Sequence, residues 1–132
     1  MNKWQEWPII KAITDVTSQA SKVDQSHFQA SGKYAIVDQG QEFIAGYTDD
    51  ESLVWESDLP VIIFGDHTRI IKFVDFPFVA GADGVKVLKP KSEIWPQFLY
   101  YALLSFEIPS AGYSRHFKYL KEQVVRFPSA LE

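Results

Sequence analysis

The middle of the chain alternates between short apolar runs and turns rich in glycine, aspartate and proline. Three runs have the composition of β-strands: VIIFG at 61–65, RIIKFV at 69–74 and GVKVL at 84–88. The first is continuously apolar, which is typical of a strand buried on both faces. The polar stretch between the first two runs, Gly-Asp-His-Thr-Arg at 65–69, predicts a hairpin loop that carries an acid, an imidazole, a hydroxyl and a guanidinium.

The first sixty residues are more polar, and their apolar runs are shorter. Pro8 limits any helix to the residues after it, where the irregular apolar spacing favours one short helix. β-Branched residues beside an aromatic ring predict a strand at KYAIVD. In chain order we predict a short helix at 9–15, a polar loop at 18–32, strands at 33–38 and 42–47 joined by a turn at 39–41, and an acidic loop at 48–60.

Apolar residues recur at helical spacing after Pro96, which suits the first turn of an amphipathic helix at 96–106. A loop around Pro109 and Gly112 follows, and residues 117–127 predict a helical turn and then a short strand. Together these elements predict an α+β fold. We expect one compact domain over residues 1–132, with a twisted mixed or antiparallel sheet and a few short helices.

Composition and charge narrow the function. The 132 residues are 46% hydrophobic and contain no cysteine, which excludes disulfides and thiolate metal sites. The sequence has no secretory h-region and no apolar run long enough to span a membrane, so we expect a cytoplasmic protein without membrane contact. Residues 1–60 hold four lysines and ten acids (−6) and residues 61–132 hold nine cations and seven acids (+2), which sum to −4. This asymmetry is compatible with a basic face on an acidic body.

Motifs for catalysis are missing from the sequence. It contains no phosphate-binding P-loop, no H-E-x-x-H and no G-x-S-x-G. We therefore predict that the chain is not an enzyme and has no catalytic residue. Carboxylates and imidazoles bind metals, so Asp66, His67, Asp83 and His116 leave a metal-dependent hydrolase open as an alternative, although their irregular spacing favours no metal site.

Several blocks of the sequence, in a fixed order, closely resemble the target recognition domain of type I restriction–modification specificity subunits. The blocks are Trp7-Pro8, Gly32-Lys33-Tyr34, DQGQEFIAGYTD at 38–49, PVIIFGDHTRIIKFVDFPFVAGADGVKVLKP at 60–90, FLYYALL at 98–104 and GYSRHFKYLKEQVVRFP at 112–128. They run from Trp7 to Pro128, almost the whole chain. The GDHTR loop alone is a weak signal, whereas the blocks in register are a specific one.

The resemblance implies a DNA-reading domain without chemistry of its own. In the family, each specificity subunit has two such domains, which read the two halves of a split target in double-stranded DNA. Methyltransferase subunits transfer a methyl group from S-adenosylmethionine to adenine, and a motor-nuclease subunit cuts unmodified DNA. We therefore expect no cofactor in this chain, S-adenosylmethionine in the partner methyltransferase, and self-association as a further possibility.

One feature departs from the family pattern. In the family, a long spacer helix follows each recognition domain, and these helices pair into a coiled coil. This chain ends at Glu132, where that helix would begin, and it carries one recognition domain and no heptad run. We therefore do not predict a split DNA target or dimerisation through a coiled coil for this chain. A net charge of −4 also predicts weak DNA affinity for the chain alone, so we expect tight binding to require the methyltransferase subunits.

The hairpin loop supplies the first candidate DNA contacts. Arginine suits guanine, and lysine and threonine suit phosphates, so Arg69, Thr68 and Lys72 are candidates for base reading and phosphate contact. His67 is a further candidate, although it equally suits a turn or a packing position. The alternative is structural: Asp66 caps its own turn, and Arg69 pairs with an acid such as Asp75.

Two other segments supply the remaining candidates. The amide side chains of Gln39 and Gln41 suit adenine, and Lys33 precedes them on the predicted strand. In the GYSRHFK segment aromatic and basic residues alternate, as at nucleic-acid surfaces, and we favour phosphate contact or a structural tie there. The candidates in that segment are Ser114, Arg115, His116 and Lys118.

A docking module of the same fold is the alternative function. It would bind the methyltransferase subunit without reading DNA. The acidic stretch at 49–58, with Trp55 at its centre, would suit such a contact. The same stretch also suits a solvated loop held in place by one aromatic ring.

Overall fold

A computed structural model describes residues 4–108 and 116–128, which form mostly short strands. The helices are α1 (Ile9–Ala12), α2 (Pro96–Ser105) and α3 (Phe117–Glu122). The strands are β1 (Trp4–Pro8), β2 (Ile13–Asp15), β3 (Lys22–Val23), β4 (Tyr34–Val37), β5 (Gly46–Thr48), β6 (Val61–Gly65), β7 (Ile71–Val74), β8 (Val79–Gly81), β9 (Val85–Pro90) and β10 (Val124–Pro128).

The described strands form three sheets rather than the one expected. The order β2-β9-β6-β7 makes a four-stranded antiparallel sheet. In the order β3-β8-β4-β5, β8 runs parallel to β3 and β4, and β5 runs antiparallel to β4. β1 and β10 pair antiparallel as a two-stranded ribbon. The predicted α+β fold with mixed and antiparallel pairing is confirmed.

Strand β6 is the centre of the hydrophobic core. Because successive side chains of a strand point to opposite faces, Ile62 and Phe64 join one apolar cluster and Val61 and Ile63 join another. The first cluster includes buried residues of α2 and α3, and the second includes buried residues of β8 and β9. The prediction that 61–65 is buried on both faces is confirmed, since all five residues are buried.

The opening of the chain differs from the prediction. The helix at 9–15 is a single turn, Ile9–Ala12, because Ile13–Asp15 pairs with β9 instead of continuing the helix. The predicted loop at 18–32 contains the short strand β3, which pairs with β8. The first pairing joins residues more than seventy positions apart, and the second joins residues about sixty positions apart. The local sequence therefore does not encode either pairing.

The predicted strand at 42–47 is also largely wrong, because regular pairing with β4 begins only at Gly46. The residues before it form an irregular segment to which Lys72 of β7 donates hydrogen bonds. The sequence analysis missed β1 and β8 altogether. Predictions for the strand at 33–38, the helix at 96–106 and the helix-then-strand at 117–127 are confirmed. Within the described ranges no helix is long and apolar enough to cross a membrane.

Candidate nucleic-acid interface

The predicted hairpin loop exists and is tightly closed. The amide of Gly65 donates to the carbonyl of Ile70, and the amide of Arg69 donates to the carbonyl of Gly65, each at 2.8 Å. Arg69 closes the turn with φ of +66°, in the left-handed region that few residues other than glycine adopt. The backbone of the loop is therefore fixed, and Thr68 and Arg69 lie on its exposed side.

Gln39 connects this hairpin loop to two other segments. Its side-chain Oε1 accepts hydrogen bonds from the amides of His67 (3.0 Å) and Thr68 (3.3 Å). Its Nε2 donates to the carbonyl of Asp83 at 2.7 Å, and its own carbonyl accepts from Thr68 Oγ1 at 2.8 Å. Gln39 was a candidate for reading adenine, but its amide group is already engaged inside the protein. In this conformation Gln39 positions the loop.

Glycines permit this close packing around Gln39. A Cβ atom at Gly65 would overlap Thr68 Oγ1 and lie 2.7 Å from Gln39 Cβ. At Gly84, whose φ is +74°, a Cβ would overlap Gln39 Nε2 and lie 2.7 Å from His67 Cδ2. The loops therefore approach each other at distances that a side chain on either glycine would prevent.

Asp66 ties the hairpin loop to the start of α3. Its carboxylate accepts a hydrogen bond from the amide of Phe117 at 2.8 Å, and its carbonyl lies 2.8 Å from the amide nitrogen and 2.9 Å from the ring Nδ1 of His116. Asp66 and His116 are each only 1% exposed. The alternative in which Asp66 caps its own turn is wrong, because α3 uses the carboxylate. The observed contacts of His116 agree with the structural tie that we favoured for its segment.

Arg69 has a structural contact as well as an exposed position. Its Nη1 donates to the carbonyl of Ile108 at 2.6 Å, just after α2. The alternative that paired Arg69 with Asp75 is not what the structure shows. Together, Arg69 and Asp66 connect the loop to both described segments that flank residues 109–115. Ser114 and Arg115, two of the predicted contacts, lie outside the described residues.

Lys72 is a buried lysine, only 5% exposed. Its Nζ donates to the carbonyls of Asp38 and Glu42, each at 2.7 Å, and lies 3.8 Å from the Asp38 carboxylate. Burial lowers the pKa of the Lys72 ammonium below its usual value of 10.5, and the Asp38 and Glu42 charges oppose this shift only in part. These groups enclose the ammonium of Lys72, so it is not positioned to contact DNA in this conformation.

The variant Lys72→Met should change how stability depends on pH. In the wild type, the pKa of Lys72 is lower in the folded state than the usual 10.5 of the unfolded state. At pH values between the two, the unfolded state still binds a proton at Lys72 that the folded state has lost. The free energy of unfolding of the wild type should therefore rise relative to the variant as pH approaches 10.5. Urea unfolding of both proteins across alkaline pH measures this difference. A difference that is constant or falls with pH would contradict the burial of this charge.

The remaining candidates stand apart from the Gln39 contacts. Lys33 is exposed, its amide donates to the Asp49 carboxylate at 2.9 Å, and its Nζ lies over the Tyr34 ring. Gln41 is exposed beside Gln39, and Lys118 is exposed on α3. DNA contact by these residues stays a prediction.

Two lysines that the sequence analysis did not single out lie close to the hairpin loop. Lys22 and Lys86 line a cavity of about 90 Å³ together with His67 and Asp83. Lys22 is the one cation in the polar segment 18–32, and Lys86 is the polar position between two buried valines of β9. Either pattern marks a solvent-facing lysine, but only the fold brings the two together.

The structure allows a comparison with the two alternative functions, the metal-dependent hydrolase and the docking module. Among residues 4–108 and 116–128, no group of three or more histidine, aspartate or glutamate side chains could hold a metal ion, so the metal-dependent hydrolase has no support here. Trp55, the proposed centre of a docking surface, packs into the core and pairs with Phe78 by backbone hydrogen bonds. The acidic stretch therefore does not offer this ring to a partner in the described conformation.

We compared this chain with known protein families, curated proteins and solved structures. No protein-family model and no curated protein matches the sequence. Three solved structures are similar: the type I restriction–modification S subunit from M. genitalium (TM-score 0.70, 18% identity), the HsdS subunit from Thermoanaerobacter tengcongensis (0.58, 13%), and a chain from a study of complex assembly and conformational transition of the type I R-M system (0.64, 12%).

The similarity extends over almost all of this chain and a minor part of the others. It covers 98%, 96% and 97% of this chain, but only 35%, 33% and 35% of the three solved chains. The resemblance noted in the sequence is therefore confirmed in three dimensions. This chain has the fold of about one third of a type I restriction–modification S subunit.

Proposed function

We propose that this chain is a DNA sequence-recognition domain that reads one half of a target for a type I restriction–modification assembly. The observation that carries the proposal is the GDHTR hairpin loop, held by Gln39 and Asp66 in a fold shared with S subunits. Sequence is read by side chains that reach base edges from a rigid support. Thr68 and Arg69 have that arrangement.

Arg69 is the residue that we assign to base reading. Guanidinium groups form paired hydrogen bonds with guanine in the major groove. One Arg69 nitrogen, Nη1, is used by the Ile108 carbonyl, which fixes the direction of the side chain and leaves other donors. Thr68 Oγ1 donates to the Gln39 carbonyl and accepts from the Ile70 amide at 3.2 Å, which leaves one acceptor site for a neighbouring contact.

Chemistry on the DNA belongs, in this proposal, to other subunits. A methyltransferase subunit with S-adenosylmethionine would methylate adenine, and a motor-nuclease subunit would cut unmodified DNA. This chain would supply neither cofactor nor catalytic group. Its acidic overall charge gives it little non-specific attraction for DNA, so sequence selection would depend on the methyltransferase subunit clamping the duplex.

Selection from randomised duplex DNA tests the proposal. The chain is mixed with the methyltransferase subunit of its own system, and bound DNA is sequenced after selection at physiological salt. We expect enrichment of a short contiguous half-site. The variant Arg69→Gly keeps the left-handed backbone conformation but removes the guanidinium, so it should lose about 1–3 kcal/mol of discrimination, roughly 5- to 150-fold, at one base pair.

Arg126→Ala is the matched control. Arg126 is an exposed arginine of β10 that lies over the Trp4 ring, on a different sheet from the hairpin loop. Its loss should leave the selected sequence unchanged. Binding of the methyltransferase subunit without any enriched sequence would contradict DNA reading and favour the docking module instead.

A further inference from the structure

A small cavity opens beside the hairpin loop, where three parts of the chain meet. Lys22 of β3, His67 of the loop and Lys86 of β9 line its volume of about 90 Å³, which would hold about three water molecules. The same two lysines also line a wider groove of about 320 Å³ together with Thr17 and Ser18. Lys22 and Lys86 therefore line both spaces.

Carboxylates also line these two spaces, and each accepts a hydrogen bond from a neighbouring amide. The carboxylates of Asp66 and Asp83 accept hydrogen bonds from the amides of Phe117 (2.8 Å) and Gly84 (2.7 Å). The Asp15 carboxylate accepts from both the amide and the hydroxyl of Thr17.

Lys22 and Lys86, in contrast, have no acidic partner in the described part of the chain. The salt bridges found there join Lys72 to Asp38 and Lys89 to Asp58. Lys86 instead lies with its Nζ 5.5 Å from the centre of the Phe117 ring. Both ammonium groups are therefore available to an external anion.

The His67 side chain also lines this cavity. Its Nδ1 is buried and has no hydrogen-bond partner among the described residues. The cavity is thus lined by two lysines without an acidic partner and by the imidazole of His67.

We propose that Lys22 and Lys86 bind one phosphate of the DNA backbone, a contact that rests on the DNA-reading function proposed above. An oxyanion with several acceptor oxygens can accept hydrogen bonds from both ammonium groups at this cavity. His67 and Arg69 share one loop, so a phosphate held here would fix where Arg69 meets the base edges. Phosphate contacts set the register of a protein on the duplex, and base contacts read the sequence.

The salt dependence of DNA affinity tests this contact. The 132-residue chain is titrated into a random-sequence duplex and into the selected half-site duplex, by fluorescence anisotropy at several low salt concentrations. The double variant Lys22→Gln/Lys86→Gln should lower the slope of log affinity against log salt by about 1. It should weaken binding to both duplexes by the same factor and leave the selected sequence unchanged.

Lys89→Gln is the matched control, because Lys89 lies on the same strand and is already paired with Asp58 at 3.6 Å. Its slope should equal that of the wild type. The charge-preserving variant Lys22→Arg/Lys86→Arg should restore the wild-type slope. Restoration would show that lost folding does not explain the effect.

Three other outcomes would distinguish a failure of this phosphate contact from a failure of the proposed DNA reading. A selected half-site together with an unchanged slope in the double variant would overturn the phosphate contact and leave DNA reading intact. A lowered slope without any selected sequence would support the contact and overturn sequence reading. Shifts of the Lys22 and Lys86 amide signals on adding inorganic phosphate, with no change in DNA affinity, would assign the site to free phosphate and overturn the DNA contact.

Discussion

Replacing Phe64 with alanine is expected to lower the free energy of unfolding by about 3–5 kcal/mol, the usual cost of removing a buried phenyl group and leaving a cavity. Phe64 is fully buried on β6, and its ring centroid lies 6.0 Å from that of Phe117 at the start of α3. It precedes the hairpin loop directly, so its loss should also loosen the loop. Urea denaturation followed by circular dichroism measures the change.

Phe43→Ala is the control for this prediction. Phe43 is 44% exposed, and its ring meets that of Phe76 edge-on at 5.8 Å. Its replacement should cost less than about 1 kcal/mol, since a half-exposed ring leaves no enclosed cavity. Equal losses for the two variants would mean that Phe64 does not occupy the core position described here.

Replacing Gly84 with alanine should produce the second large loss, about 2–3 kcal/mol. Alanine at the φ of +74° costs about 1–2 kcal/mol, and its methyl group would displace Gln39 Nε2, with a further loss of about 1 kcal/mol for the hydrogen bond to Asp83. The same displacement should reduce selection of the DNA half-site, because Gln39 holds the hairpin loop.

Gly40→Ala and a double-mutant cycle control for this effect. A methyl group at Gly40 would meet only the Asp38 carboxylate, at 3.1 Å or beyond, so its cost should stay below about 1 kcal/mol. If the clash with Gln39 is the cause, Gly84→Ala should cost less in a Gln39→Ala background than in the wild type. Additive losses would locate the effect in the backbone conformation or in the contact with His67 Cδ2.

Local sequence patterns predicted the elements that depend on local properties. Continuous apolarity identified the buried strand at 61–65, and Pro96 with helical spacing identified α2. The hairpin loop followed from the polar residues between two apolar runs. In each case the side chains that decide the structure are neighbours along the chain, so their pattern is visible without the fold.

The interior roles of the candidate residues were not predictable in the same way. Gln39 contacts residues 28 to 44 positions away, and the carboxylate of Asp66 reaches an amide 51 positions away. The chemical properties that suggested DNA contact, amide and charged groups in turns, equally suit hydrogen bonds between loops. Only the fold shows that Gln39 and Lys72 are used inside the protein while Thr68 and Arg69 remain exposed.

The ribbon of β1 and β10 has a consequence for how such a unit can be reused. Trp4 lies opposite Pro128, so the polypeptide enters and leaves the fold at neighbouring points. A unit with adjacent ends can be grafted into a surface loop of a host protein without separating the host's flanking residues. Genetic exchange could therefore replace one such unit by another of different loop sequence while the architecture of the recipient stays the same.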